Sequence, residues 1–241
     1  MKRYLKTILY FLSYLIYYNR CSKILYLHDV HDGRIYAESD CSMSIEIFED
    51  VISIIRKNGF TIVDKITERY NQIQICFDDG YRGIWDTREY FYNESIAPTI
   101  FVAYNLIGSD NYLTKSEIIE LSNHGFNIQS HTMDHIALTG LQKENLEYQL
   151  KQSRDNLSVM TNCVVTEICL PIGWFDLTAI VNARRFYKVI YSSIPGNYFD
   201  MRYHGMICRN IIQNLTPRQI KYTLYGGQQL MCKRIFKQHS K

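Results

Sequence analysis

Two aspartates stand side by side at Asp78-Asp79, where the alternating apolar stretch Ile73, Ile75, Phe77 stops ahead of Gly80. Adjacent carboxylates repel each other unless a cation or hydrogen-bond donors hold them, so one suits a metal and the other a base. A plain Asp-Gly turn needs only one. Further along, His131 and His135 are four apart, a spacing that sets two imidazoles on one side of a helical turn or compact loop. With one carboxylate they complete a two-histidine, one-carboxylate set that leaves metal positions open to water and substrate. Such a set accepts zinc, cobalt or nickel. A divalent ion there acidifies water and polarises a carbonyl, the two tasks that amide or ester hydrolysis needs at neutral pH.

These residues must be delivered to one place by the elements that precede them. Short apolar runs at 24–27, 73–77, 99–103, 126–129, 164–170, 187–191 and 206–208 read as strands. Between them, helical periodicity is bounded by Ser44 and Gly59, by a Thr114/Glu117 capping box and Gly125, by a long helix over 142–160, and by starts at Asp176 and Thr216-Pro217. A helix is predicted near 83–94 as well. Repeated βα alternation predicts an α/β fold with a parallel sheet, closed or nearly closed into a barrel of about seven strands. In that architecture functional groups collect at the C-terminal ends of the strands. The strand ends here are polar: His28-Asp29, Asp78-Asp79-Gly80, Ser130-His131 and Pro171-Ile172-Gly173.

The chain has 241 residues, 46% hydrophobic and 21% charged, which excludes disorder and predicts one packed core. A net charge of +3 is too weak for a nucleic-acid footprint, so no nucleic-acid partner is expected. Seven cysteines without a CxxC pair disfavour a disulfide scaffold and a zinc ribbon. Cys76, Cys163, Cys169 and Cys208 read as buried small hydrophobes, and none of the seven is a proposed ligand. A reducing, cytoplasmic setting is expected. Residues 1–22 form a separate unit ahead of a catalytic domain over 23–241. Lys2, Arg3 and Lys6 precede the uncharged stretch Thr7 to Asn19, and Arg20 and Lys23 follow it. That stretch is short for a membrane span and lacks a small-x-small cleavage site. It reads as an amphipathic helix in peripheral contact with a membrane, or as a first helix packed on the domain.

Three segments carry a family resemblance. Ile75-Cys76-Phe77-Asp78-Asp79-Gly80-Tyr81-Arg82, Gln129-Ser130-His131-Thr132-Met133-Asp134-His135 and Cys169-Leu170-Pro171-Ile172-Gly173-Trp174-Phe175-Asp176 resemble the three successive motifs of the polysaccharide deacetylase family, the NodB-homology carbohydrate esterases, in residues, order and spacing. The resemblance covers residues 23–210. Lys23-Ile24-Leu25-Tyr26-Leu27-His28-Asp29-Val30 is similar to the opening of the branch that includes poly-N-acetylglucosamine deacetylases.

The resemblance implies a distorted (β/α) barrel of the NodB-homology type in which Asp79, His131 and His135 hold the metal. Asp78 is then the general base and His28 the general acid that protonates the leaving amine, with His204 as the alternative acid. The N–H of Ile172, after Pro171, is implied as an oxyanion donor. Trp174 offers either a sugar-stacking face or a core side chain. The third motif departs from the family: Leu170-Pro171-Ile172-Gly173 stands where Tyr-Pro-Tyr-Gly is usual, and the arginine that some branches place before the proline to buttress the catalytic aspartate is missing. The implied activity is removal of N-acetyl groups from an amino-sugar-containing glycan, releasing acetate. The competing readings are a weakly catalytic glycan-binding or scaffold relative and an O-acetyl esterase.

Overall fold

The computed structural model describes residues 2–38 and 40–241, with residues 2 and 3 by their backbone alone. The side chains of Lys2 and Arg3 in the predicted basic flank thus lie outside the described residues. Helix α1 (Lys2–Ile16) leads to β1 (Lys23–Leu27), the short parallel pair β2 (Asp29–His31) and β3 (Ser42–Ser44), and α2 (Ile45–Lys57). Then come β4 (Thr61–Ile62), β5 (Gln72–Phe77), α3 (Gly83–Asp86), α4 (Arg88–Asn93), β6 (Thr99–Val102), α5 (Lys115–Asn123) and β7 (Asn127–Ser130). The second half runs α6 (Lys143–Glu147), α7 (Ser153–Thr161), β8 (Glu167–Cys169), α8 (Leu177–Ala183), β9 (Val189–Tyr191), β10 (Arg209–Ile211), α9 (Pro217–Leu224) and α10 (Cys232–His239).

The sheet order is β10-β1-β5-β6-β7-β8-β9, with β4 added beside β5, and every ladder is parallel. A parallel bridge between Tyr191 and Ile207 brings the approach to β10 against β9, so the seven-strand path nearly closes into a barrel. The expected architecture is therefore the one found. Alternation along each strand divides the core in two. Ile24, Tyr26, Cys76, Phe101, Cys169 and Tyr191 fill the barrel. Their neighbours Leu25, Leu27, Ile75, Phe77 and Ile100 pack outward beneath the helices.

The predicted caps hold. Ser44 accepts from Ile47 N, Asp176 from Ala179 N, and Thr114/Glu117 and Thr216/Gln219 form reciprocal capping boxes that satisfy the free N–H groups of the first turn. Three expectations are corrected. The helix near 83–94 is two short helices, α3 and α4, separated at Thr87, whose hydroxyl donates back to Gly83 O. The last strand begins at Arg209, because Met206–Cys208 is spent on the bridge to β9. Cys163 is exposed, beyond the end of α7, where the left-handed turn at Asn162 carries the chain outward.

The long helix over 142–160 is interrupted by a π-helical turn, Tyr148–Gln152. Such turns shift the side chains that follow and recur near functional sites. Here the turn aims the fully buried Gln149 at the loop between the two histidines. Its Oε1 accepts from Met133 N and Asp134 N at 3.1 Å, and its Nε2 donates to Asp134 Oδ2.

Candidate metal and catalytic site

Asp78 and Asp79 leave β5 in opposite directions. Asp78 N donates to Leu27 O at 3.0 Å, which keeps the residue in the barrel mouth. Asp79 then takes φ 73°, a left-handed conformation that aspartate tolerates better than most residues, and its carboxylate turns toward β7. His131 follows β7 directly, tied by its N–H to Val102 O. Its Nδ1 lies 2.8 Å from Cys169 O, so that nitrogen donates and Nε2 is left with its lone pair toward the cavity. The loop reverses through left-handed Thr132 and His135, pinned by Tyr104 N to Thr132 O, Asn105 N to Met133 O, and Gln149.

The result is convergence. Asp79 Oδ1 is 3.2 Å from His131 Nε2 and 3.0 Å from His135 Nε2, and the three atoms lie within 4.8 Å of one another. Asp79 Oδ1 is buried, yet accepts no aligned hydrogen bond. Two imidazoles and a carboxylate that crowd together without hydrogen-bonding are aimed at a common point, which is the requirement of a cation. The residues present therefore fit a divalent ion. Burial works against a charged Asp79, but the two imidazoles outweigh it and hold the carboxyl well below the usual range.

Asp78 is handled differently. Its oxygens take both arms of one guanidinium: Arg209 Nη1 to Oδ1 at 2.6 Å and Nη2 to Oδ2 at 2.8 Å, with both residues buried. Arg209 is itself fixed by Nε to Ser192 O and stacks over the Tyr26 ring at 4.2 Å. Burial pushes the Asp78 carboxyl up, and Arg209 more than reverses it, leaving it below its ordinary value. Asp78, His131 and Cys169 also form a ligand-sized group. That group already holds a cation, because the guanidinium of Arg209 contacts Asp78 and the Cys169 sulfur.

Arg209 supplies from β10 the buttress that the third motif lacks before its proline. Sequence reading missed it, although a lone arginine inside the apolar run Met206–Ile212 is the mark of a buried, paired charge. Cys169, too, enters the site: its Sγ is 3.7 Å from Asp78 Oδ2.

Pro171-Ile172-Gly173 forms a tight turn on the facing wall, with Pro171 buried beneath it. Ile172 sits at φ 61°, a costly place for a β-branched side chain. Among the described residues its N–H has no hydrogen-bond acceptor. His28 borders the same cavity and is oriented by Nδ1 against Gln213 Oε1 at 2.6 Å. The cavity, of about 190 Å³, is also lined by His239.

His239 is the second residue that sequence reading missed. Phe175 N donates to His239 O at 3.0 Å and Lys241 N to Phe175 O at 2.9 Å, so the end of α10 and the residues after it are laced onto the third motif. The imidazole lies over Gly173, where a Cβ would come within 2.6 Å of its Nδ1, and that buried Nδ1 has no partner among the described residues. Two candidates are not brought in. The Trp174 ring lies beside Lys241, whose Nζ is 4.4 Å from its centroid, and does not line the cavity. His204 packs against Phe175 and Phe236, with its carbonyl bound by Arg184.

Comparison with known proteins agrees with the fold and the family resemblance. The family model described as polysaccharide deacetylase matches residues 65–187. A curated protein of Bacillus subtilis (strain 168), YxkH, named as a polysaccharide deacetylase, is 29% identical over 126 residues. The match takes in 52% of this chain and 45% of that relative, so it spans under half of the relative's length. Among solved structures, the polysaccharide deacetylase BC0361 from Bacillus cereus superposes with a TM-score of 0.75 at 23% identity, covering 85% of this chain and 69% of the other. IcaB from Ammonifex degensii gives 0.72 at 14%, covering 86% and 98%. At these identities the structural likeness is one of fold.

Proposed function

The chain belongs to the polysaccharide deacetylase family, and from that premise we propose that it is a metal-dependent hydrolase removing N-acetyl groups from an amino-sugar-containing glycan. The observation that carries this reading is the convergence of Asp79 Oδ1 with the two Nε2 atoms beside the Arg209-held carboxylate of Asp78. A divalent ion bound by Asp79, His131 and His135, with zinc, cobalt or nickel all suited to the donor set, would supply Lewis acidity and more acidic water. Asp78, kept ionised by Arg209, takes a proton from the attacking water. The free Ile172 N–H donates a hydrogen bond to the acetyl oxygen as negative charge develops there. His28, steered by Gln213, gives a proton to the leaving nitrogen as the C–N bond breaks, yielding acetate and a free amine. His239 lines the cavity with its ring against Gly173 and shapes the wall that the bound sugar meets.

The test is elemental analysis joined to an acetate-release assay on short N-acetylglucosamine oligomers. Stoichiometric metal and acetate are expected. Absence of bound metal after reconstitution with zinc, cobalt and nickel removes the proposed site.

His28→Ala separates amide from ester chemistry, because an alkoxide leaves more readily than an amine. The loss on an N-acetyl substrate should exceed the loss on a matched O-acetyl one by about tenfold or more. Equal losses exclude His28 as the acid. For His239→Ala, KM is expected to rise several-fold as the cavity wall over Gly173 is lost, with kcat changed much less. His239→Gln should recover part of it, and an unchanged KM rules out the sugar contact.

A further inference from the structure

Helix α1 is built inside out. Its polar side chains face the protein: Ser13 is fully buried, donates to Gly226 O at 2.7 Å and accepts from Leu230 N at 3.1 Å, while Thr7 accepts from Gln219 at 2.9 Å. Tyr10 and Tyr14 join the core beside them, but the other large apolar side chains face away, with Tyr4 80%, Leu5 70%, Ile8 56%, Leu12 46%, Leu15 56% and Ile16 64% exposed. A helix on the surface of a water-soluble domain has the opposite polarity, with the apolar stripe inward. A contiguous apolar face of this size marks an interaction surface.

The occupant is indicated by length and charge. Fifteen residues extend about 22 Å, short of the roughly 30 Å hydrocarbon core of a bilayer. No helix among the described residues is long and apolar enough to cross a membrane. The neighbouring α9, which packs along α1, exposes Arg218 and Lys221, and neither helix carries an acidic residue. Lys6 on α1, exposed with its ammonium over the Tyr10 ring, adds a third cation on the same pair of helices. An apolar face bordered by cations matches an anionic lipid interface. Of the two predicted C-terminal flanking cations, neither serves this role. Arg20 is spent on Asn71 and the carbonyls of Asn58 and Gly59, and Lys23 is buried and held by Asn19 and the Cys21 carbonyl.

We propose that α1 lies in the plane of an anionic phospholipid surface, with its apolar face among the acyl chains and Lys6, Arg218 and Lys221 at the headgroups. The geometry also orients the catalytic domain. Lys6 borders a cleft with His31 and Asn214, which follow the strand ends bearing His28 and Gln213. The first turns of α1 are thus at the catalytic end of the barrel, and docking holds the cavity near the lipid surface. This inference stands on α1 and α9 and is independent of the deacetylase reading.

The experiment is co-sedimentation of the full chain with phosphatidylcholine vesicles, with and without about one quarter phosphatidylglycerol, alongside sedimentation velocity without lipid. Binding to the anionic vesicles is expected, at least about tenfold weaker for Leu5→Glu/Leu12→Glu and several-fold weaker for Arg218→Gln/Lys221→Gln. Both double variants replace exposed residues, and Leu15→Ser/Ile16→Ser provides an uncharged check if the glutamate pair lowers the melting temperature. Absence of vesicle binding by the wild type overturns the proposal, as does binding unchanged in all three variants. A wild-type dimer that Leu5→Glu/Leu12→Glu dissociates, with no lipid binding, overturns it in favour of a second copy.

Discussion

Asp78→Asn should lower acetate release by about a thousandfold while metal content stays at the wild-type level. Asparagine keeps the shape of the side chain and its place in the barrel mouth, but it cannot take a proton from water, and general-base assistance is worth roughly two to four orders of magnitude. The metal should stay because Arg209 occupies both Asp78 oxygens, whereas the convergent Oδ1 belongs to Asp79. Asp79→Asn should do the reverse and release the ion. Equilibrium dialysis with zinc beside the acetate assay reads both. If Asp78→Asn loses the metal as well, Asp78 is a ligand, and the division of labour between the adjacent carboxylates is wrong.

Arg209→Met should destabilise the fold by about 3–5 kcal/mol, the usual cost of removing one partner of a buried pair. The reason is what remains. Asp78 is 3% exposed, and without the guanidinium its carboxylate keeps only weak contacts such as Cys169 Sγ at 3.7 Å. A missing cation–π contact over Tyr26 adds to the loss. Asp78→Leu/Arg209→Met should recover much of the stability, since replacing both charges removes the unpaired one. Denaturant unfolding of the three proteins measures the coupling. Additive losses in the double variant would show that the two side chains contribute separately rather than as a pair. Turnover should fall sharply in Arg209→Met even where the protein remains folded, because burial then favours the neutral form of Asp78, which cannot serve as the proposed base.

The site was legible in the sequence to the extent that it is local. Asp78-Asp79-Gly80 and the His131/His135 pair are short segments at the ends of apolar runs, and a strand that ends in polar residues has a defined place in a parallel barrel. The same holds for the helix caps at Ser44, Thr114, Asp176 and Thr216, where the accepting cap and the donating N–H are three residues apart. Arg209 was not legible as a partner, because it meets Asp78 across 131 positions of chain and only the register of β10 beside β1 and β5 brings them together. His239 follows the same logic: nothing near it in sequence resembles a motif, and two backbone bonds to Phe175 carry it over Gly173. The long helix over 142–160 had the right periodicity, but periodicity does not show that Gln149 is needed by the histidine loop and that a π turn delivers it.

For α1 the contrast is sharpest. The sequence by itself determined a short apolar helix with basic residues before it, because side-chain types and spacing set helical preference and amphipathic pattern. Which side of that helix meets the protein was decided by tertiary structure, through Ser13 on Gly226 and Thr7 on Gln219. In the same way the sequence determined two carboxylates and two imidazoles at strand ends, and only the closed sheet decided that Asp79 faces the histidines and Asp78 faces an arginine. The physical reason is common to both. Local chemistry is written in neighbouring residues, whereas the electrostatic state of a buried group depends on charges that strand pairing brings from far along the chain.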